Sequence, residues 1–326
     1  MAQTLFQALK QQYPDTQIDV LAPQWSRPLT ERMPEISGSL SLPFKHGELK
    51  WRDRYALGKS LRNQYQRCFV LPNSFKSALV PFWANIPERM GWLGEWRYGL
   101  LNKTRRLNKQ KYLKMVSRYV ALAYFDANHD NNVDSEASLP CFKPRLTVNR
   151  EKAQEALACY QLDLEKPCLV LCPGAEFGPS KRWPEKYYGA LAAQYLRSGW
   201  QVWIFGSNKD SVVANAIQAI TAHQCIDLTG RTSLGEAIDL MSFAQAVVSN
   251  DSGLMHIAAA LERPLVAVYG STDPGYTPPL SNNAIIVREK TPCSPCFKRV
   301  CPLGHHACME KIGVESVTHA LKTVGA

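Results

Sequence analysis

The sequence predicts an α/β protein of two domains built on parallel sheets. Three observations predict it. Short apolar runs alternate with helical patterns of 10–15 residues throughout the second half, as βαβ units require. A similar alternation, less regular, runs through the first half. At 326 residues the chain also has room for two domains of ordinary size.

The second half is the clearer. Residues 168–172 form an apolar run ending in Pro173-Gly174, as a buried strand would. A helix is predicted over 184–197, where Tyr187, Leu191 and Tyr195 recur at helical spacing. Strand 200–205, helix 212–220, helix 234–243, strand 246–249 and helix 254–261 follow. A strand over 265–269 closes the series.

In the first half the pattern predicts helix 2–12, strand 17–22, helix 49–65, strand 69–71 and helix 76–83. A long basic helix is expected over 109–125. The polar stretch 128–138 reads as linker or surface loop, and the domain boundary falls within 140–165, giving domains 1–155 and 156–326. The chain opens directly on a helix, whereas such a domain ordinarily begins with a central strand. A first strand, with the ligand-bearing loop behind it, is therefore expected upstream of Met1.

Hydrophobic residues at 45 % and charged residues at 20 % describe a globular protein, and no apolar run approaches the roughly 18–20 residues of a membrane span. The first ten residues lack the pattern of a secretion signal, so a cytoplasmic protein is expected. Ten cysteines are then read as thiols rather than disulfides. The net charge of +10 is concentrated: residues 45–118 hold 17 Lys/Arg against 4 Asp/Glu. Such a field suits an anionic partner, or is simply a solvated surface. The aromatics among these charges (Trp51, Trp83, Trp92, Trp96) form no nucleic-acid-binding pattern, and no nucleic acid is expected.

Three predicted strand ends carry candidate chemistry. Ser249-Asn-Asp-Ser-Gly-Leu-Met-His256 runs from strand through a small-residue turn into a helix, whose free N–H groups and dipole suit a diphosphate. Asp251 or Ser252 would cap that helix, Gly253 admits close approach, and His256 sits one turn beyond Ser252. Cys172-Pro-Gly-Ala-Glu-Phe-Gly-Pro-Ser-Lys-Arg-Trp-Pro184 places Lys181 and Arg182 as phosphate clamps, without the spacing of a P-loop. Phe205-Gly-Ser-Asn-Lys-Asp210 places Asp210 where an acidic residue accepts from a ribose or merely charges a first helical turn. Together Lys181, Asp210, Asp251, Ser252, Gly253 and His256 describe a nucleotide-diphosphate pocket.

These strings, with Tyr269-Gly-Ser-Thr-Asp-Pro274, resemble the donor domain of the ADP-heptose:lipopolysaccharide heptosyltransferases, glycosyltransferase family nine. In the first half Leu71-Pro-Asn-Ser-Phe-Lys-Ser-Ala-Leu79, Arg89-Met-Gly-Trp92 and Arg97-Tyr-Gly-Leu-Leu-Asn102 resemble the members that add the second inner-core heptose. The resemblance implies a GT-B architecture, two Rossmann-like doubly wound domains facing a cleft. It implies inverting transfer of heptose from ADP-heptose to the first heptose of a lipid A–Kdo–heptose acceptor, with no cofactor. Lys181 would contact donor phosphate, Asp210 the ribose, and Asp251 with its following amides the phosphates and sugar. Asn73, Ser74, Lys76, Arg89 and Arg97 would serve the acceptor, at the inner face of the cytoplasmic membrane. The family's general base, an Asp on the first strand–helix loop, has no counterpart after Met1. An impaired, ADP-sugar-binding protein of the same fold is the alternative expectation.

Cys293, Cys296, Cys301 and Cys308, with His305 and His306 between them, have the residue types of a structural zinc site. The prolines at 292, 295 and 302 support instead a shaped loop of reduced thiols.

Overall fold

Helix α1 (Gln3–Gln12) opens the chain and buries Leu5 and Leu9, packing against α5 (Met115–Val120). The computed structural model describes residues 1–45, 47–125 and 136–325. They divide into two units, one of Met1–Arg27 with Glu35–Phe142, the other of Pro28–Pro34 with Lys143–Ala326.

After α1 the first unit runs through β1 (Asp19–Pro23), and the one-turn α2 (Arg27–Thr30) stands at the junction. Then come β2 (Gly38–Leu42), α3 (Trp51–Ser60), β3 (Arg67–Phe69), α4 (Leu79–Trp83), β4 (Glu88–Trp92) and β5 (Lys103–Arg105). Strands β1 and β2 pair in parallel, and β3, β4 and β5 form a separate parallel sheet in that order. The expected basic helix over 109–125 is much shorter. Asn108 Oδ1 accepts from the N–H groups of Gln110 and Lys111, and the Glu136 carboxylate takes those of Leu113 and Lys114. Side-chain acceptors that capture these donors compete with the helical ladder, so α5 begins only at Met115. Of the stretch 128–138 expected as linker, 128–135 lie outside the described residues.

The second unit carries α6 (Arg150–Cys159), β6 (Cys168–Cys172), α7 (Glu185–Arg197), β7 (Gln201–Ile204), α8 (Ser211–Ile220) and β8 (Ile226–Asp227). It continues with α9 (Leu234–Met241), β9 (Ala246–Asn250), α10 (Gly253–Ala260), β10 (Leu265–Tyr269), β11 (Ala284–Arg288), α11 (Ala307–Glu310) and α12 (Val314–Thr323). Its six strands are all parallel, in the order β11-β10-β9-β6-β7-β8. Every residue of β6, β9 and β10 is buried, as for central strands with helices on both faces. Alternate side chains feed two cores: Val170, Trp203, Val247 and Ala267 enter one, Leu169, Leu171, Val202, Ile204, Val248 and Val266 the other.

The series does not close at β10 as expected. β11 is an edge strand with no fully buried residue, and its apolar run over 284–287 extends the series by one strand. The units divide at Phe142/Lys143, so α6 lies wholly within the second, and Pro28–Pro34 joins the second unit from far upstream. Arg32 secures that excursion. Its guanidinium pairs with the buried Asp239 carboxylate of α9, Nε donating at 3.1 Å, and also donates to Gly235 O. Removing one member of a buried pair strands the other charge. Arg32→Ala is therefore expected to lower stability by about 3–5 kcal/mol, read from the midpoint of urea unfolding.

Candidate functional site

In an open parallel sheet a ligand crevice opens where successive strands depart in opposite directions. Here the chain goes from β6 outward to β7 and β8, then returns to β6's other side with β9 and continues to β10. The switch point lies between β6 and β9, and the loops leaving their carboxyl ends are Pro173–Trp183 and Asp251–Ser252.

Asn250, the last residue of β9, holds these loops together. It is fully buried; its Oδ1 accepts from Trp183 N–H at 3.0 Å and from Tyr188 Oη at 3.1 Å, and its Nδ2 donates to Pro173 O at 2.6 Å. Lys181 is thereby carried over the end of β9. Its Nζ lies 2.6 Å from Asp251 Oδ2, and Thr272 Oγ1, from the loop after β10, donates to the same oxygen at 2.7 Å. The two charged side chains are only 14 % and 5 % exposed.

Neither cap proposed for the following helix is made. Asp251 is engaged by Lys181 and Thr272, and Ser252, at the N-cap position, makes no side-chain capping bond because its hydroxyl meets that of Ser249 at 3.2 Å. The first turn of α10 thus presents amides uncapped by a side chain beside a buried ammonium, an arrangement that favours an anion. A Cβ on Gly253 would meet nothing within 4 Å, so the protein's own packing does not demand glycine there. His256 is half-buried on α10, and burial lowers its imidazole to about 4. It is therefore neutral at pH 7.

Several expected site residues also have partners within the chain. Asp210 Oδ2 accepts from Ser207 N–H at 2.9 Å and Ser207 Oγ at 2.8 Å, closing a capping box. Arg182 approaches the same carboxylate at 3.6 Å rather than reaching forward. A Cβ on Gly174 would come within 2.5 Å of Asp210, so the loop passes directly over it. In the first unit Arg97 is wholly buried and donates to Pro72 O at 2.7 Å, Asn73 Oδ1 at 3.1 Å, and Trp92 O. Arg89 donates to Leu100 O and Ile86 O. Both arginines are held mainly by backbone carbonyls.

What Arg97 and its neighbours do is bind the loop after β4 to the loop after β3. Glu95 Oε2 accepts from Phe75 N–H at 3.0 Å, beside Asn73, Ser74 and Lys76. Trp96 is left 85 % exposed with φ at +55°, an unusual conformation for a bulky residue and a pointer to function. No pattern in the sequence marked it. Nor did any mark Asn250 as a tie or Thr272 as a partner of Asp251, although both lie within the strings quoted above.

Cys293, Cys296, Cys301 and Cys308 line one small cavity with His305, His306, Ser180 and Ser271. All carry free thiols, and among the described residues no group of three or more His, Cys, Asp or Glu is placed to hold a metal ion. The segment braces the loops that follow β6 and β10. Cys296 and Phe297 N–H donate to Ser271 O, Ser294 Oγ to Gly270 O at 2.6 Å, and Ser180 N–H to Arg299 O at 3.2 Å.

Residues 54–307 match the family described as glycosyltransferase family 9 (heptosyltransferase). The chain belongs to this family. Among family members it is 49 % identical to lipooligosaccharide heptosyltransferase 2 of Haemophilus ducreyi, over 88 % of this chain and 84 % of that one. It is 46 % identical to lipopolysaccharide heptosyltransferase 2 of Salmonella typhimurium, over 99 % and 94 %. A solved structure of E. coli ADP-heptose lps heptosyltransferase II is 42 % identical over 99 % of this chain and 93 % of that chain, with a TM-score of 0.87. The fold is GT-B, and the chain is a glycosyltransferase.

Two outcomes follow for this family member. Gly253→Ala should leave the unfolding midpoint unchanged or slightly raised, since alanine favours a helix, while weakening binding of a nucleotide diphosphate by calorimetry. The His256 imidazole titrates lower in the folded state (about 4) than in the unfolded chain (about 6.5). Its contribution is fully present above pH 6.5 and is lost as pH falls toward 4, because the unfolded chain takes the proton first. Replacement by Asn should flatten that part of a stability–pH curve, measured by denaturant titration.

Proposed function

We propose that this chain transfers heptose from ADP-heptose to the first heptose of a lipid A–Kdo–heptose acceptor, with inversion at the anomeric carbon. The observation that carries the reading is the buried Lys181 ammonium held beside the uncapped start of α10 at the sheet's switch point. The names of the relatives at 42–49 % identity supply the donor sugar and the acceptor class.

In this reaction the acceptor hydroxyl oxygen forms a bond to the anomeric carbon while the bond from that carbon to the diphosphate breaks. Negative charge accumulates on the departing ADP, where the Lys181 ammonium and the α10 amides neutralise it. Asp251 and Thr272 orient Lys181 before the donor arrives, and Asp251 remains beside the sugar as a hydrogen-bond acceptor. Direct inversion also requires a general base on the acceptor hydroxyl. On the acceptor side, Asn73, Ser74 and Lys76 hydrogen-bond the phosphorylated core, and the ring of Trp96 supplies a flat apolar face for a sugar. The basic field of residues 45–118 suits that anionic acceptor. Among the described residues no helix is long and apolar enough to cross a membrane. The chain acts at the cytoplasmic face of the inner membrane as a peripheral protein.

The test is release of ADP and transfer of label from ADP-heptose to purified lipopolysaccharide lacking the second heptose. Transfer should require both substrates and be far slower with UDP- or GDP-sugars. Failure to transfer to that acceptor would overturn the reading. Lys181→Ala should lower kcat/KM about 10–100-fold, the size of a lost charge-assisted hydrogen bond. Trp96→Ala should raise KM for the acceptor and leave KM for ADP-heptose unchanged.

A further inference from the structure

Helix α3 is inverted in polarity. The residues it buries are Arg54 and Gly58, whereas Trp51 and Tyr55 are 48 % and 44 % exposed. Two features enforce the inversion. Arg54 is drawn inward by carbonyls, donating to Leu49 O at 2.5 Å, Glu48 O at 3.1 Å and Lys76 O at 3.2 Å. Gly58 lets α3 sit against α4, where an added Cβ would come within 2.7 Å of Trp83 Cβ and 2.9 Å of Val80 O. With the backbones this close, the large rings stand at the surface.

Exposed Trp51 and Tyr55 belong to a continuous row with Phe75 and Trp83, which are half-buried. Ring centroids lie 6.3 Å apart from Phe75 to Trp51, 5.2 Å from Trp51 to Trp83, and 5.6 Å from Trp83 to Tyr55. The Lys59 ammonium continues it, 5.3 Å from the Tyr55 ring. Around the row the surface charge is mainly positive: Lys45, Lys50, Arg52, Lys59 and Arg62 are exposed, against exposed Asp53 and half-buried Glu48. Exposed aromatics alone suit a protein partner equally well. A surplus of exposed cations beside them suits it less, because the centres of protein interfaces are depleted of charge. Tryptophan and tyrosine beside lysine and arginine are what a membrane–water interface selects, the rings at headgroup depth and the cations against anionic lipid.

We propose that α3, with the row from Phe75 to Tyr55 and the cations Arg52 and Lys59, is the surface by which this chain lies on an anionic phospholipid leaflet. The proposal rests on the reading above, in which the acceptor is anchored in that leaflet by its lipid. Phe75 lies between Ser74 and Lys76, so the row runs directly into the loop assigned to the acceptor. Docking through α3 therefore sets that loop at the headgroup level, where the sugar of an embedded acceptor emerges. A soluble acceptor with its acyl chains removed has no need of the surface.

Co-sedimentation of the whole chain with vesicles tests this, comparing phosphatidylglycerol mixed with phosphatidylethanolamine against phosphatidylcholine alone. Binding should require the anionic lipid and weaken with salt. Arg52→Glu/Lys59→Glu, both exposed, should weaken it roughly thirtyfold or more, since each cation near such a surface contributes substantially. The same variant should lose transfer to acceptor embedded in vesicles while keeping wild-type kcat/KM on deacylated acceptor. Trp51→Ala/Tyr55→Ala should behave alike; because Trp51 also packs on Trp83, the charge variant decides. Absence of vesicle binding by the wild type, equal binding to both lipids, or an unaffected charge variant would overturn the proposal. A wild type that binds anionic vesicles yet transfers no heptose even to deacylated acceptor would overturn the proposed reaction and leave the surface standing.

Discussion

The buried side chain of Asn250 is the contact on which the candidate site of the second unit depends. A parallel sheet brings the ends of β6 and β9 side by side but does nothing to fix the long loop that follows β6. That loop carries prolines and glycines and has little ladder of its own, so its conformation must be imposed from outside. One amide does this by filling both of its roles, accepting from Trp183 and Tyr188 and donating to Pro173. Trp183 is then sealed into the core, its indole N–H donating to Ile312 O at 2.8 Å. Lys181, two residues earlier, has no freedom left except to lie over Asp251.

The resulting charge arrangement has a direction. A buried carboxylate beside the positive end of a helix already satisfies much of what that end attracts. Lys181 offsets it, so the ammonium is divided between Asp251 and any anion that arrives. An incoming diphosphate must therefore be strong enough in charge to share Lys181, which weights the pocket toward polyanionic ligands over neutral sugars. The thiol-rich segment contributes from behind, through backbone hydrogen bonds to the loops that bear Lys181 and Thr272. Its role in this site is mechanical, whatever its sulfur chemistry.

Much of this was legible in the sequence, and what was not has physical causes. The central strands β6, β9 and β10 were readable because burial on both faces demands unbroken apolar runs. The short strands of the first unit carry mixed residues and lack that mark. Site residues divided in a similar way. Lys181 and Asp251 lie where strand ends meet, and topology alone points there. Asp210, Arg89 and Arg97 have chemistry suited to a ligand, and each also has partners nearby that a linear pattern does not display. Thr272 is the converse: an unremarked hydroxyl made important by a neighbour 21 positions away. The failed helix over 109–114 teaches the same lesson, since Asn108 and Glu136 capture its amides from outside the segment.

The path of the chain has a consequence for how the molecule is made. Pro28–Pro34 is synthesised well before its partner Asp239, which lies 207 positions after Arg32. Arg32 thus spends most of translation with its eventual place unformed, while the rest of its unit has yet to emerge. Contacts of such long sequence separation form late and slowly. Neither unit is a continuous stretch of the gene, so the two cannot be severed by one cut or exchanged with a relative as simple halves. One arginine thus ties its segment to a helix made 207 residues later.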